Sequence, residues 1–430
     1  MTDHSLAFTA LFAALLVLGL SIRGYLALRQ IRHVAQHRVQ VPAAFASTIT
    51  LASHQKAADY TVAKARFGLL EMAFGAALLL GWTLLGGIDA LNQALTQSGL
   101  ARFGGLAPQL ALLAIFGLVS GLLDLPFTLY STFRLEERFG FNKMTPRLWL
   151  ADLAKSTALG IVIGLPIAAL ILWLMGSAGK FWWLWAWAVW MGFNLLALVL
   201  FPTVIAPLFN KFKPLDDEAL TARVSALMKR CGFAAKGLFV MDGSKRSAHA
   251  NAYFTGFGAA KRVVFYDTLL RQLNPAEVDA VLAHELGHFK HKHIVKRIAL
   301  LFAVSLAGFA VLGLLSSQAW FYTGLGVRPN LGGGANDALA LLLFMLVAPL
   351  FTFFISPLMA QLSRRHEFEA DAYAMAQTDG RDLHSALLKL YQDNASTLTP
   401  DPVYVKFYYS HPPASERLGR ITPSIEAAPA

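Results

Sequence analysis

The sequence predicts an all-α multispanning membrane protein, with seven transmembrane helices carrying a small α+β domain on one side of the bilayer. Three observations lead there. Hydrophobic residues fill 56% of the 430 positions and charged residues only 15%, where an ordinary soluble domain has about 25% charged residues. Mean hydropathy is +0.50. Apolar runs of spanning length recur along the chain, and the connections between them alternate between rich and poor in positive charge.

A span needs about 20 mostly apolar residues. Seven segments meet that need: Ser5 to Ile22, Phe67 to Ile88, Phe103 to Phe133, Ser156 to Gly176, Phe181 to Phe209, Ile298 to Phe321 and Ala338 to Leu362. Ahead of the first lie Asp3 and His4 but no basic leader, so it is read as a retained anchor and not as a signal peptide. Between the first two spans come Arg23, Arg29, Arg32, Arg38, Lys56, Lys64 and Arg66, whereas the next connection has only Arg102. Arg134, Arg138, Lys143, Arg147 and Lys155 follow the third span, and Lys180 alone follows the fourth. Beyond the fifth the chain is again basic, Arg328 stands alone between the sixth and seventh, and Arg364 and Arg365 follow the last. Positive charge stays on the cytoplasmic side. The N-terminus is therefore expected outside, with the long polar region and the C-terminus in the cytoplasm.

That polar region, residues 210–297, contains three strand-like runs: GLFVMD, NAYFTGFG and KRVVFYD. NPAE follows, with Asn274 as N-cap, Pro275 at the first helical position and Glu277 at the third, an Asn-led capping box. The helix it opens carries HELGH and is expected to run without a break into the sixth span. The chain thus divides into residues 1–209 with five spans, 210–297 as the polar domain, 298–362 with two spans, and a C-terminal segment, 363–430, whose last residues form a frayed tail. A formal net charge of +11 fits topology-setting loops. The basic residues are spread over several connections with no recognition module, which excludes a nucleic-acid partner.

Chemistry concentrates in HELGHFKHKH, residues 284–293, with four histidines, one glutamate and two lysines. The single Cys231 excludes an intramolecular disulfide and a cysteine-rich zinc site, so a metal must be held by histidine and carboxylate. Four residues apart on a helix, His284 and His288 lie about 40° apart on one face, and Glu285 can touch a water on an ion held between them. The metzincin pattern fails, because position 291 is His and position 294 is Ile. His291 and His293 are expected in a solvated, interfacial role beside Lys290 and Lys292, with His293 pointing away from the His284–His288 face. SRRHEFEADAYA, just after the seventh span, offers the better third ligand. There Glu367 and Asp371 are four apart, and Glu369 points about 200° away from Glu367. A carboxylate ligand with a second carboxylate one turn on suits binding zinc and orienting a ligating imidazole. A surface helix with acids paired to Arg364 and Arg365 is the other reading of that segment. Glu71 and Asp124 fall inside spans, where either lining a chamber or an interhelical hydrogen bond accounts for them. Cys231 is expected to be a small buried residue.

Five blocks in order, FPTVIAPLFNKFKPL, SAHANAYFTGFG, VLAHELGHFKHKH, SRRHEFEADAYA and SHPPASERL, resemble the type 1 CaaX prenyl endopeptidases, integral-membrane zinc metalloproteases. The resemblance implies a barrel of seven tilted helices around a large water-filled chamber, closed on one side by the protease domain. It makes His284, His288 and Glu367 the ligands of one Zn2+ per chain, Glu285 the base, and Asp371 the residue that steadies a ligand histidine. By the same resemblance His411 and Arg417 approach the substrate near the metal, and Asn251, Ala252 and Tyr253 belong to a strand lining the cleft. The implied partners are the lipid bilayer and a peptide or prenylated-protein substrate, cut to release a C-terminal tripeptide. The chain is expected to act as a monomer in a bacterial-type inner membrane. Two other functions compete: quality control of membrane proteins, as in the heat-shock metalloproteases, and a metal-binding transporter, which would leave Glu285 and Glu367 without a purpose. An HExxH motif buried inside a span is excluded by Lys290, Lys292 and Lys296.

Overall fold

The computed structural model describes residues 2–233, 237–255, 262–330 and 335–426. Residues 256–258 and 261 of the strand-like runs, and the tail from 427, lie outside the described residues. Among the described residues, seven helices are long and apolar enough to cross a membrane: Asp3–Gln36, Leu51–Trp82, Leu106–Glu136, Pro146–Ser177, Gly179–Phe209, His293–Leu315 and Asp337–Gln377. At about 1.5 Å per residue, all of them exceed the ~30 Å hydrocarbon core, so their polar ends stand clear of it.

The helices close into a ring. The first packs on the second and seventh, the fourth on the third and fifth, and the sixth on the fifth and seventh. Phe67 and Phe74 of the second meet Phe127 of the third and complete the circle. The barrel predicted around a chamber is therefore present. A cavity of about 1210 Å³ lies inside it, lined by Leu16, Arg23, Tyr60, Glu71 and Leu346 among others. Glu71 thus faces the chamber, and Asp124 is exposed. An apolar plug that includes Phe12, Ile88, Leu172, Phe321 and Leu343 fills one end of the barrel. At that end Arg328 makes a two-pronged bond to Asp89, at 3.0 and 2.7 Å, joining two charge-poor connections.

The polar domain holds a four-stranded sheet: β1 (Phe212–Pro214), β2 (Gly237–Met241), β3 (Ala252–Thr255) and β4 (Arg262–Tyr266). The order is β1-β2-β4-β3, with β2 parallel to β4 and the outer pairings antiparallel. β1 is not among the predicted strands; three residues ending in proline carry no alternation to read. β3 is an edge strand, which leaves one side of its backbone open to pairing. Val224, Phe265, Ala280, Leu286 and Leu387 are fully or almost fully buried in the core beneath.

The predicted capping box forms: the Asn274 side chain accepts from the N–H groups of Ala276 and Glu277, and Glu277 Oε2 accepts from the Asn274 N–H at 2.8 Å. The same Glu277 receives Ser385 Oγ at 2.6 Å and Lys389 Nζ at 2.7 Å, which fixes the helix Pro275–Lys290 against Gly380–Asp393. The expectation of a continuous helix into the sixth span is wrong. The helix stops at His291, and Lys292 takes a left-handed conformation, φ 55 and ψ 35, before the sixth span starts at His293. A non-glycine residue there costs roughly 1–2 kcal/mol, so surrounding contacts must hold the turn.

Candidate active site

Two helices build the site, Pro275–Lys290 and Ser356–Gln377, and Gly287 sets their separation. A Cβ at 287 would lie 2.9 Å from Ala370 Cα and 3.1 Å from Ala370 O. Backbone cannot yield as a flexible side chain does, so only glycine permits this crossing. Gly287→Ala is expected to push the helices apart and lower zinc affinity by at least about 10-fold, the loss typical of a disturbed metal surround. Competition with a chelating dye checks it.

That close approach brings three donors together. His284 Nε2 lies 3.5 Å from Glu367 Oε2, His288 Nε2 3.4 Å from Glu367 Oε1, and the two Nε2 atoms 3.3 Å from each other. One ligand atom from each residue falls within 4.8 Å of the others. Glu367 is buried, and its Oε2 lacks a hydrogen-bond partner. A buried carboxylate oxygen without a donor, facing two imidazole nitrogens, fits a zinc ion held by two nitrogens and an oxygen. Behind it, His284 Nδ1 is 2.8 Å from Asp371 Oδ1, which leaves Nε2 for a metal.

Electrostatics follow from burial and charge. Burial alone would lower the His284 pKa, but the carboxylates of Asp371 and Glu367 beside it outweigh that and raise it to about 9. Without metal, His284 therefore keeps a proton at neutral pH, and a metal must displace it. Zinc affinity is expected to fall as pH drops below about 9, with a proton released on binding. Calorimetry in buffers of different ionisation enthalpy counts that proton. In the apo protein the stability contributed by this protonated group is fully present below pH 6.5 and is lost as pH rises through about 9. Burial pushes the Glu285 carboxyl up.

A pocket of about 220 Å³ gathers Asn251, Ala252, His284, Glu285, His288, Glu367, His411 and Arg417 on its walls. Of the ten predicted site residues, Tyr253 and Asp371 do not line it. Tyr253 points to Tyr266, with ring centroids 6.2 Å apart, and Asp371 stands behind His284. His411 Nε2 lies 3.4 Å from Glu367 Oε1, and its side chain is 66% exposed because it borders this pocket and the larger cavities on either side. Arg417 is buried, with Nε donating to Asp371 Oδ2 at 2.8 Å and Nη2 to the other oxygen. Nη1 lies 3.8 Å from Glu367 Oε2, and Nη2 is also 3.4 Å from His284 Nδ1.

The second cavity, about 820 Å³, is walled by Leu195, Leu198, Phe201, Leu301 and Phe302 and reaches Glu285 and His288. The expected solvated role of His293 does not hold. It is 4% exposed, with Nδ1 2.9 Å from His288 Nδ1 and Nε2 2.9 Å from Glu369 Oε2. The turn at Lys292 carries it there, which the assumption of a straight helix concealed. The positive φ falls on a lysine, so glycine gave no signal. His291 joins neither group; its ring stacks on His293 at 5.5 Å. Cys231 is half-buried at the end of the helix Glu218–Arg230, with Sγ 3.7 Å from Gln377 Oε1.

Two imidazoles and a carboxylate beside a chamber walled by spanning helices define a class, the membrane-embedded zinc metalloendopeptidase. Comparison with known proteins narrows it. Residues 30–211 match the family described as CAAX prenyl protease N-terminal, five membrane helices, and residues 214–424 match peptidase family M48. The chain is 34% identical to CAAX prenyl protease 1 homolog of Arabidopsis thaliana, over 92% of this chain and 93% of that one. It is 34% identical to CAAX prenyl protease 1 of Saccharomyces cerevisiae, over 93% and 91%. The crystal structure of S. mikatae Ste24p superimposes with a TM-score of 0.90 at 32% identity, covering 96% of this chain and 99% of that one. The chain belongs to the CAAX prenyl protease 1 family of M48 metallopeptidases.

Proposed function

We propose that the protein hydrolyses peptide bonds at the cytoplasmic face of its membrane with one zinc ion per chain, and that it removes the C-terminal tripeptide from prenylated CaaX-type substrates. The observation that carries the reading is the meeting of His284, His288 and Glu367 within 4.8 Å at a pocket that also holds Glu285. The names of the relatives, which specify CAAX prenyl substrates, support the substrate class. His284 and His288 act as ligands through Nε2, and Glu367 supplies the third. Bound there, zinc would lower the pKa of a water and polarise the scissile carbonyl. Glu285 accepts the proton of the attacking water and passes it to the leaving amine. His411 Nε2 and Arg417 Nη1 donate to the developing oxyanion, while Asp371 holds both His284 and Arg417 in place. Asn251 and Ala252, at the start of the edge strand, receive the substrate backbone as an added strand. The expected role of Tyr253 is retained only through its backbone, since its side chain turns away.

The cytoplasmic placement rests on the alternation of charge-rich and charge-poor connections. The relatives named above are eukaryotic and lend the bacterial inner membrane no support. Every group invoked comes from one chain, so a monomer carries the complete site.

A test offers a farnesylated CaaX peptide and an unmodified unfolded protein to sealed vesicles of both orientations, with and without chelator. The expected result is chelator-sensitive release of the tripeptide only where the cytoplasmic face is accessible. Cleavage of the unfolded protein alone would favour quality control, and cleavage from the opposite face would overturn the orientation.

A further inference from the structure

We infer that His293 and Glu369 form a positioning pair that fixes the tautomer and the ring plane of His288, so that its Nε2 is presented to the metal. This rests on His288 being a ligand, as proposed above, and not on the identity of the substrate. Two hydrogen bonds in series carry it: His288 Nδ1 to His293 Nδ1 at 2.9 Å, and His293 Nε2 to Glu369 Oε2 at 2.9 Å. An imidazole that ligates through Nε2 keeps its proton on Nδ1. His288 therefore donates to His293. His293 accepts at Nδ1, carries its own proton on Nε2 and donates that to the Glu369 carboxylate. The order is the one arrangement that gives every link a donor and an acceptor.

His284 is held in the same manner with one step fewer, since Asp371 accepts directly from its Nδ1 at 2.8 Å. Both ligand imidazoles thus end on a carboxylate, one directly and one through a second imidazole. Such outer partners orient a ligating histidine and raise its basicity.

The fold builds this pair at a cost. On an unbroken helix residue 293 would sit about 140° around from residue 288. The left-handed turn at Lys292 swings His293 back across the end of the HExxH helix. There its ring stacks on His366, with centroids 4.0 Å apart and planes 13° apart, and it is all but excluded from solvent. Glu369 is held in turn by Arg365 Nε at 3.3 Å.

The test measures zinc dissociation constants of the full-length protein by dye competition, together with the visible spectrum of the Co2+ form. His293→Phe keeps a flat ring for the stack but offers no acceptor to His288. It is expected to weaken zinc binding about 10–100-fold, the usual loss for an outer partner, with apo Tm unchanged and the Co2+ bands shifted. Glu369→Leu shifts affinity in the same direction by less, and Glu369→Gln, whose carbonyl still accepts from Nε2, restores it. A dissociation constant within about twofold of wild type in His293→Phe, or an equal loss in a His291→Phe control, overturns the pair. If His293→Phe does not fold, Glu369→Leu decides alone by the same criterion. Failure of wild type to bind zinc would instead remove the metal reading itself.

Discussion

Glu285→Gln is expected to bind zinc as tightly as wild type and yet lose cleavage by about 10²–10⁴-fold, the usual contribution of a positioned acid–base group. Glutamine keeps the size of the side chain but cannot take a proton from water. Glu285 sits on the walls of the 220 Å³ pocket and the 820 Å³ cavity, one residue along the helix from the proposed ligand His284, so it is placed to touch what the metal would hold without being a ligand. Stopped assays on a farnesylated peptide, paired with metal analysis of the same preparation, separate the two properties. Loss of zinc together with activity would make Glu285 a structural residue. Retention of both would move the base elsewhere.

The second large effect is on the metal. Glu367→Ala is expected to weaken zinc binding by more than about 100-fold, beyond the range seen when only an outer partner is lost. Glu367 approaches both histidines, at 3.5 and 3.4 Å, and is the carboxylate of the candidate metal cluster found among the described residues. Its loss also leaves the buried Arg417 with Asp371 alone among carboxylates near it, so the apo melting temperature must be recorded beside the affinity. His291→Ala, which touches neither ligand, is expected to retain zinc. Equal loss in both variants would mean that the third ligand has been placed wrongly.

Much of this site can be read from the chain, for identifiable reasons. Spacing of four on a helix is a local property, so the pairs His284/His288 and Glu367/Asp371 are visible without knowing how the helices meet. The seven spans are visible because the hydrocarbon core demands length and apolarity. Gly287 is visible as part of HELGH, but its reason, the 2.9 Å approach to Ala370, exists only once the helices cross. His293 was hidden because its position depends on a single left-handed residue, Lys292, and on a partner 76 positions away. Arg417 lines the pocket, and part of its role could not be read from the chain. Its place at the site follows from the SHPPASERL block, whereas its two-pronged bond to Asp371 depends on burial that no local pattern reports.

The most direct measurement of the central claim is diffraction from the zinc-loaded protein, recorded on both sides of the zinc absorption edge. The account predicts one anomalous peak per chain, bonded to His284 Nε2, His288 Nε2 and a Glu367 oxygen at about 2.0–2.2 Å. A peak on His291 or His366, or none between the two helices, would contradict it.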